Sequence, residues 1–389
     1  MKLLSWNIQW GRGADGETTL QRTVSAIRTL GDFDVICLQE VAVGFAGLQG
    51  GAPVDGVAVL AAAFPGYSAH FAEAVDMPDG RGGRSLFGNL TLSRLPVGQV
   101  FRHSLPRPPE EGVPSMPRAC LEVIVDGPRG PLRVMNTHLE YYSRIQRMTQ
   151  IAALHTLQCD AVRLAAMQPA AEGDDAKAGS PFATLPRPAS AVICGDFNCE
   201  PGSPEYYRMT APISADVSGW EDAWRACYGE IAHLCTVGLN GAEWPDRAYC
   251  CDYFFVSADL VDHVEAALEL EAADVVDEEA EAAHVALEAG VFGNAVAVAI
   301  DRVVLVVAEV GGQRAAGEGL GAEQVGVPLA EGTELLVGHE FILERAAGDD
   351  IHRAGQRLGG DQAAAGAARD VDALDAAEVH AVQAIDRKS

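Results

Sequence analysis

Short apolar, β-branched runs that end on polar clusters recur through the first 257 residues, and no other feature restricts the fold so tightly. They are Leu3-Leu4-Ser5-Trp6-Asn7, Val35-Ile36-Cys37-Leu38-Gln39-Glu40, Leu132–Leu139 with Asn136-Thr137-His138, and Ala191–Gly195 followed by Asp196-Phe197-Asn198. A fifth polar position, Asp252, lies inside the run Tyr249–Ser257. Runs this short and apolar read as buried strands. Each therefore delivers a polar side chain to the margin of a core, where an unpartnered carboxylate such as Glu40 is costly.

Between these runs, Leu20, Val24, Ile27 and Leu30 carry helical spacing over residues 17–30. A long helix is expected over 143–167, with Ile145, Met148, Ile151 and Leu154 on one side. A short helix fits Val57–Ala63, and further strands fit Tyr67–Phe71, Ser85–Leu92, Val97–His103 and Cys120–Val125. The turn signals Ser93-Arg94-Leu95-Pro96 and Gly127-Pro128-Arg129-Gly130 make hairpins, whereas the helices make crossovers. Hairpins together with crossovers require mixed sheets, so the expected class is an α/β sandwich with helices outside.

Composition breaks near residue 260. All nine Cys, five Trp, eight Tyr and seven Met precede it, and Pro328 is the only proline after it. The expected organisation is a catalytic domain over 1–262, running to about 285, and an acidic Ala/Gly/Val-rich tail over 263–389, irregular or partly helical. That tail is either a natural solvated appendage or the product of translation in a shifted frame. The chain carries a formal net charge of −27, unfavourable for gripping a polyanion. Residues 1–262 hold 20 Lys and Arg against 30 Asp and Glu, and the rest hold 8 against 25, so most of the acidity belongs to the tail. Arg81, Arg84, Arg102, Arg107, Arg118, Arg144 and Arg147 offer a modest basic rim, or simply a solvated face.

Cysteines without a spaced framework suit reduced thiols and a cytoplasmic location. No leader is expected ahead of the first strand. No membrane span is expected either, because Asp301, Arg302 and Glu309 interrupt the most apolar stretch, Val291–Val310. A monomer is expected. Neither a dinucleotide fingerprint nor a P-loop is present.

Taken singly, the polar positions have ordinary structural readings. Asn7 suits a turn, Glu40 a strand end, His138 a satisfied core histidine, Asp196 and Asn198 an Asx-type turn, and Asp252 an acceptor within a sheet. Taken together, carboxylates gathered at strand ends fit a hard cation such as Mg²⁺, with Mn²⁺ as the alternative, which relieves their burial and binds phosphoester oxygens.

The order and neighbours of these clusters resemble the endonuclease/exonuclease/phosphatase superfamily over about residues 2–257. The resemblance rests on Leu4-Ser5-Trp6-Asn7-Ile8, Asp34–Val41, Gly88-Asn89 with Leu92–Pro96, Asn136–Leu139, Gly195–Asn198 and Asp252–Val256. It implies a four-layer α/β sandwich of two mixed sheets packed face to face with helices outside. It also implies a metal-dependent phosphoesterase cleaving phosphodiesters, of nucleic acid or of a small or lipid substrate, by activated water. By the same resemblance Glu40 holds Mg²⁺ with Asn7 nearby, and His138 meets a phosphoryl oxygen. Asp196 and Asn198 then position water or the scissile phosphate, and Asp252 braces a C-terminal histidine. The family's late Ser-Asp-His is absent from this chain; His284 lies at a comparable distance but lacks the Asp, and the base is then replaced by His284 or Asp196. A phosphomonoesterase, or a binding protein impaired by loss of that base, are the alternatives.

Overall fold

A computed structural model describes residues 1–13, 16–48, 50, 54–167, 179–183, 185–238, 247–269 and 295–300. The chain divides into two compact units, Met1–Gly326 and Val327–Ser389, and the second lies wholly outside the described residues. So do His284 and, apart from Ala295–Ile300 and residues 263–269, the whole of the acidic tail.

The first unit holds two six-stranded sheets. In one, β1 (Lys2–Asn7) and β2 (Val35–Val43) are parallel neighbours, joined through helix α1 (Leu20–Leu30). Beyond β2 lie β4 (Arg84–Ser93) and the edge strand β3 (Ser68–Pro78), both antiparallel, with helix α2 (Gly56–Ala63) packed alongside. The other edge of β1 pairs antiparallel with β12 (Ala295–Ile300), which pairs in turn with β11 (Val264–Glu269).

The second sheet repeats the plan. Strands β7 (Gly130–His138) and β8 (Ala191–Asp196) form its parallel pair, and the 24-residue helix α3 (Arg144–Met167) lies between them in the chain. The hairpin β5 (Val97–Ser104) and β6 (Ala119–Gly127) flanks β7. On the far side β10 (Asp252–Val256) and the two-residue β9 (Glu221–Asp222) flank β8. Helices α4 (Pro204–Thr210) and α5 (Ala223–Tyr228) occupy the connection between β8 and β10. The expected four-layer sandwich of mixed sheets is therefore the fold.

Strand alternation builds its two cores. On β8, Val192 and Cys194 face one core and Ala191 and Ile193 the other; on β10, Phe254 and Val256 part from Tyr253 and Phe255 in the same way. The first core joins the facing sides of both sheets with α1: Leu4, Trp6, Leu38, Leu121, Val134 and Ile27 belong to it. The second seats Ile151 and Leu154 of α3 against Met135, Ile193 and Phe255.

Helix α1 starts at Leu20 rather than 17, because Thr18 bridges to Arg12 in extended form. Strand β3 continues to Pro78, well past the expected end at 71, as an exposed edge paired with β4 along its length. Strands β11 and β12 carry the sheet past residue 262, and their contribution is read from backbone pairing alone.

Candidate active site

Both parallel pairs direct their carboxyl ends to one place, where ligands gather on open α/β sheets. Asn7 closes β1, Glu40 lies near the end of β2, His138 closes β7 and Asp196 closes β8. Asp252 opens β10 directly opposite Asp196 in the ladder. Of the sequence-predicted residues, Asn7, Glu40, His138, Asp196 and Asn198 are in mutual contact, and Asp252 adjoins them.

Local backbone geometry aims these groups. The β2–β4 register slips between Leu38 and Val41, and Glu40 takes φ 57° inside the irregularity. A bulge of this sort redirects a single side chain while the strand continues. Asn198 takes φ 50°, an αL value that Asn tolerates. At Gly195 the constraint is absolute, since a Cβ there would stand 1.8 Å from the Thr137 carbonyl oxygen. Only glycine lets β8 approach β7 closely enough to set Asp196 beside His138.

The Asn7 amide links the two sheets. Its Nδ2 donates to Glu40 Oε1 and to Asp196 Oδ2, each at 3.1 Å, while its Oδ1 accepts from the Gln9 N–H at 3.2 Å. Asn198 Nδ2 donates to His138 Nε2 at 3.1 Å and to the Leu139 carbonyl at 2.9 Å, and Asp196 Oδ1 accepts from the Asn198 N–H at 2.9 Å. His138 Nδ1 stands 3.9 Å from Glu40 Oε1, and Nε2 stands 3.5 Å from Asp196 Oδ2. Below this layer Gln39 donates to Asn136 Oδ1 at 2.8 Å and to Ser5 Oγ at 3.1 Å. Asn136 Nδ2 donates to the carbonyls of Leu38 and Leu90, and Asn89 Nδ2 to those of Ala119 and Asn136. These buried amides fasten one sheet to the other directly beneath the site.

Burial governs the charges. It pushes the Glu40 carboxyl up to about 7, against the lowering influence of the Asn7 amide and Arg118. It raises Asp196 as well, opposed by the Asn198 N–H, Asn7 and Arg118. Burial, reinforced by the Arg118 charge, holds His138 well below its ordinary value, so the imidazole is neutral. Glu40 keeps 17% of its side chain exposed and is the most accessible of these carboxylates. Buried carboxylates raised by desolvation favour any bound cation that replaces their lost hydration.

Glu40 and Asp196 present hard oxygen donors, which fit a divalent cation of the Mg²⁺ kind, and the Asn7 amide lies between them with its Oδ1 on the Gln9 N–H. Asp196, Cys251 and Asp252 place one candidate ligand atom each within 4.8 Å of one another. Burial keeps the Cys251 thiol protonated, so its sulfur contributes nothing to a hard-cation site. Asp252 Oδ2 accepts from Thr236 Oγ1 at 2.7 Å and from Cys251 Sγ at 3.4 Å.

Arg118 is the residue whose special position sequence reasoning missed. It is buried rather than part of a rim, its Nε donates to Glu140 Oε2 at 3.3 Å, and its buried Nη1 has no hydrogen-bond partner among the described residues. Its charge reaches Glu40, His138 and Asp196 together. The signal was faint, because Arg118 precedes an apolar run instead of ending one. Arg144 and Arg147 share Glu205, at 3.4 and 3.0 Å, and Arg147 also donates to the carbonyls of Glu140 and Tyr141. Arg84 pairs with Asp76, and Arg107 with Ser115. Most of the suspected basic rim is thus spent within the protein.

A sequence model of the Endonuclease/Exonuclease/phosphatase family matches residues 4–274. No curated protein matches the chain. Among solved structures, the chain is similar to an endonuclease/exonuclease/phosphatase from Beutenbergia cavernae at 23% identity and TM-score 0.45, covering 66% of this chain and 64% of that one. It is similar to another of that description from Bacteroides vulgatus, at 15% identity and TM-score 0.45, over 68% of this chain and 88% of the other. It also resembles a mannosyl-6-phosphatase from Bacteroides thetaiotaomicron, at 17% identity and TM-score 0.45, over 68% and 87%. The chain thus spans a little under two thirds of the length of the Beutenbergia protein.

Proposed function

The chain belongs to the endonuclease/exonuclease/phosphatase family, whose model covers 4–274, and from that premise we propose that it hydrolyses phosphodiesters by activated-water attack with a divalent cation, Mg²⁺. The observation that carries the reading is the Asn7 amide held between Glu40 and Asp196, with the Arg118 guanidinium beside them. Displacement at phosphorus calls for positioning and charge neutralisation more than for covalent chemistry.

Glu40 and Asn7 would hold the cation. Its contribution when bound is Lewis-acid polarisation of a phosphoryl oxygen and a lower pKa for water. Arg118, buried and paired with Glu140, contributes the field of its charge at Glu40, His138 and Asp196. Neutral His138 donates from Nδ1, since Nε2 is occupied by the Asn198 amide, and so stabilises charge developing on the phosphoryl group. Asn198 fixes that ring orientation. Asp196, made more basic by burial, takes the proton from the attacking water, and Asp252 supports Asp196 from the adjacent strand. A phosphomonoesterase uses the same geometry and is the second reading.

The catalytic domain in this proposal is residues 1–262 continuing through about 285, with the first sheet extended in backbone by Ala295–Ile300. No described helix is long and apolar enough to cross a membrane. Nine free cysteines fit a reducing, cytoplasmic setting.

Hydrolysis of bis(4-nitrophenyl) phosphate with Mg²⁺, compared with Glu40→Ala of unaltered circular dichroism, tests the proposal. Turnover should disappear in the variant and on chelation, and turnover retained by folded Glu40→Ala would sink the reading. Hydrolysis of DNA that falls steeply between 50 and 200 mM salt marks a nuclease, whereas absent DNA hydrolysis at low salt leaves a small diester as substrate.

A further inference from the structure

The loop that follows His138 is fixed at nearly every backbone position, yet it holds one aromatic ring out in solvent. The Leu139 N–H donates to the Asp196 carbonyl at 2.9 Å, and the Glu140 N–H to Gln150 Oε1 at 2.9 Å. The Tyr142 N–H donates to Glu140 Oε1 at 3.0 Å, and Ser143 Oγ donates to Glu110. Arg147 Nη1 binds the carbonyls of Glu140 and Tyr141 at 2.9 and 2.6 Å. Glu140 and Ser143 are buried, but the Tyr142 side chain between them is 62% exposed, with the Tyr141 ring edge-on at 4.8 Å.

The position of that ring follows from Glu140. One of its carboxylate oxygens takes Arg118 Nε and the other takes the Tyr142 N–H, so the backbone of Tyr142 and the guanidinium are held by a single group. On the other side Tyr141 lies close to Tyr249, whose phenol is pushed up chiefly by burial and by Cys251, Tyr141 and Asp196. Tyr141 and Tyr142 thus belong to a loop that follows His138 directly and is tied through Glu140 to Arg118, at the margin of the candidate site. A preorganised tyrosine loses little entropy on stacking. Arg118 beside the site is already paired with Glu140, and acidic residues outnumber basic ones 30 to 20 over residues 1–262, so little positive charge is available to a polyanion. That balance favours a short substrate over a polymer.

We infer that Tyr142 is a specificity residue that stacks a planar aromatic group, a nucleobase or an aryl ring, of a small phosphoester whose phosphate is held at the candidate site that this loop borders. The inference rests on the phosphoesterase reading above and adds the substrate class to it. The test is the affinity of the full chain, with Mg²⁺, for methyl phosphate, phenyl phosphate and thymidine 5′-monophosphate by calorimetry, in wild type, Tyr142→Ala and Tyr142→Phe. Wild type should bind at least one ring-bearing phosphate about 5- to 100-fold tighter than methyl phosphate, the range that stacking on an aromatic side chain gives. Tyr142→Phe should keep most of that preference and Tyr142→Ala should lose it.

Preference for thymidine monophosphate alone assigns a nucleobase one sugar away from phosphorus. Preference for phenyl phosphate alone assigns an aryl ester. Equal affinities in wild type, or a preference that survives Tyr142→Ala, overturn the inference and leave the phosphoesterase reading intact. Failure of all three phosphates to bind overturns the inference, and absence of bis(4-nitrophenyl) phosphate hydrolysis as well overturns both readings.

Discussion

Replacing Glu40 by Gln keeps the shape of the protonated acid and removes its titration. Burial lifts this carboxyl from 4.5 to about 7, so the folded protein binds its proton more tightly than the unfolded chain does. The sign follows from linkage: a raised pKa stabilises the fold below pH 4.5, and that stabilisation is lost as pH rises through 7. A displacement of roughly 2.5 units at 1.36 kcal/mol each gives about 3 kcal/mol between pH 4 and pH 8. Glu40→Gln should therefore gain about 3 kcal/mol over wild type across that range, provided chelator removes divalent ions. For a domain of this size that is a relative Tm difference of about 6 to 12 °C. Urea or thermal unfolding in EDTA at closely spaced pH values measures it. Adding Mg²⁺ should then raise the wild-type Tm more at pH 8 than at pH 5, because the cation binds the ionised form, and should do little for the variant. Parallel stability curves for the two proteins from pH 4 to 8 would refute the burial argument.

Asn136→Ala removes the donor to the Leu38 and Leu90 carbonyls and the acceptor of Gln39, leaving buried polar groups unpaired. We expect a loss of about 2–4 kcal/mol by urea denaturation, and a loss under 0.5 kcal/mol would show that the inter-sheet amides are not structural ties. Gly195→Ala drives a Cβ into the Thr137 carbonyl at a left-handed φ of 138°. It should cost more than about 4 kcal/mol and yield little soluble protein, against which a wild-type melting curve would count decisively.

The strands were legible because apolar, β-branched stretches such as Val35–Leu38 admit few other structures, and the hairpin turn at Gly127–Gly130 is written in its residues. The convergence of Asn7, Glu40, His138, Asp196 and Asn198 was legible through the polar endings of those strands. Shorter elements were not. Helices α4 and α5 span only 7 and 6 residues, and β9 only 2, too short for periodicity to speak. Ser203 followed by Pro204 is nonetheless a readable helix start, and Ser203 does cap Tyr206. Arg118 escaped notice because only the fold brings the beginning of β6 next to the ends of β7 and β8. The pairing of Arg144 and Arg147 with Glu205 joins positions some sixty residues apart, a distance at which local spacing carries no information.

The bridging amide of Asn7 has a consequence for assembly. It spans a carboxylate from each sheet, and the Gln39–Asn136 contact beneath it repeats the crossing. Neither sheet owns the site, so a chain with both sheets formed but undocked would possess every functional side chain and no reaction centre. A slip of one residue between the layers would part Glu40 from Asp196 just as completely. Turnover, regained during refolding, would thus act as a clock for the last docking step, lagging behind any spectroscopic signal that reports strands alone.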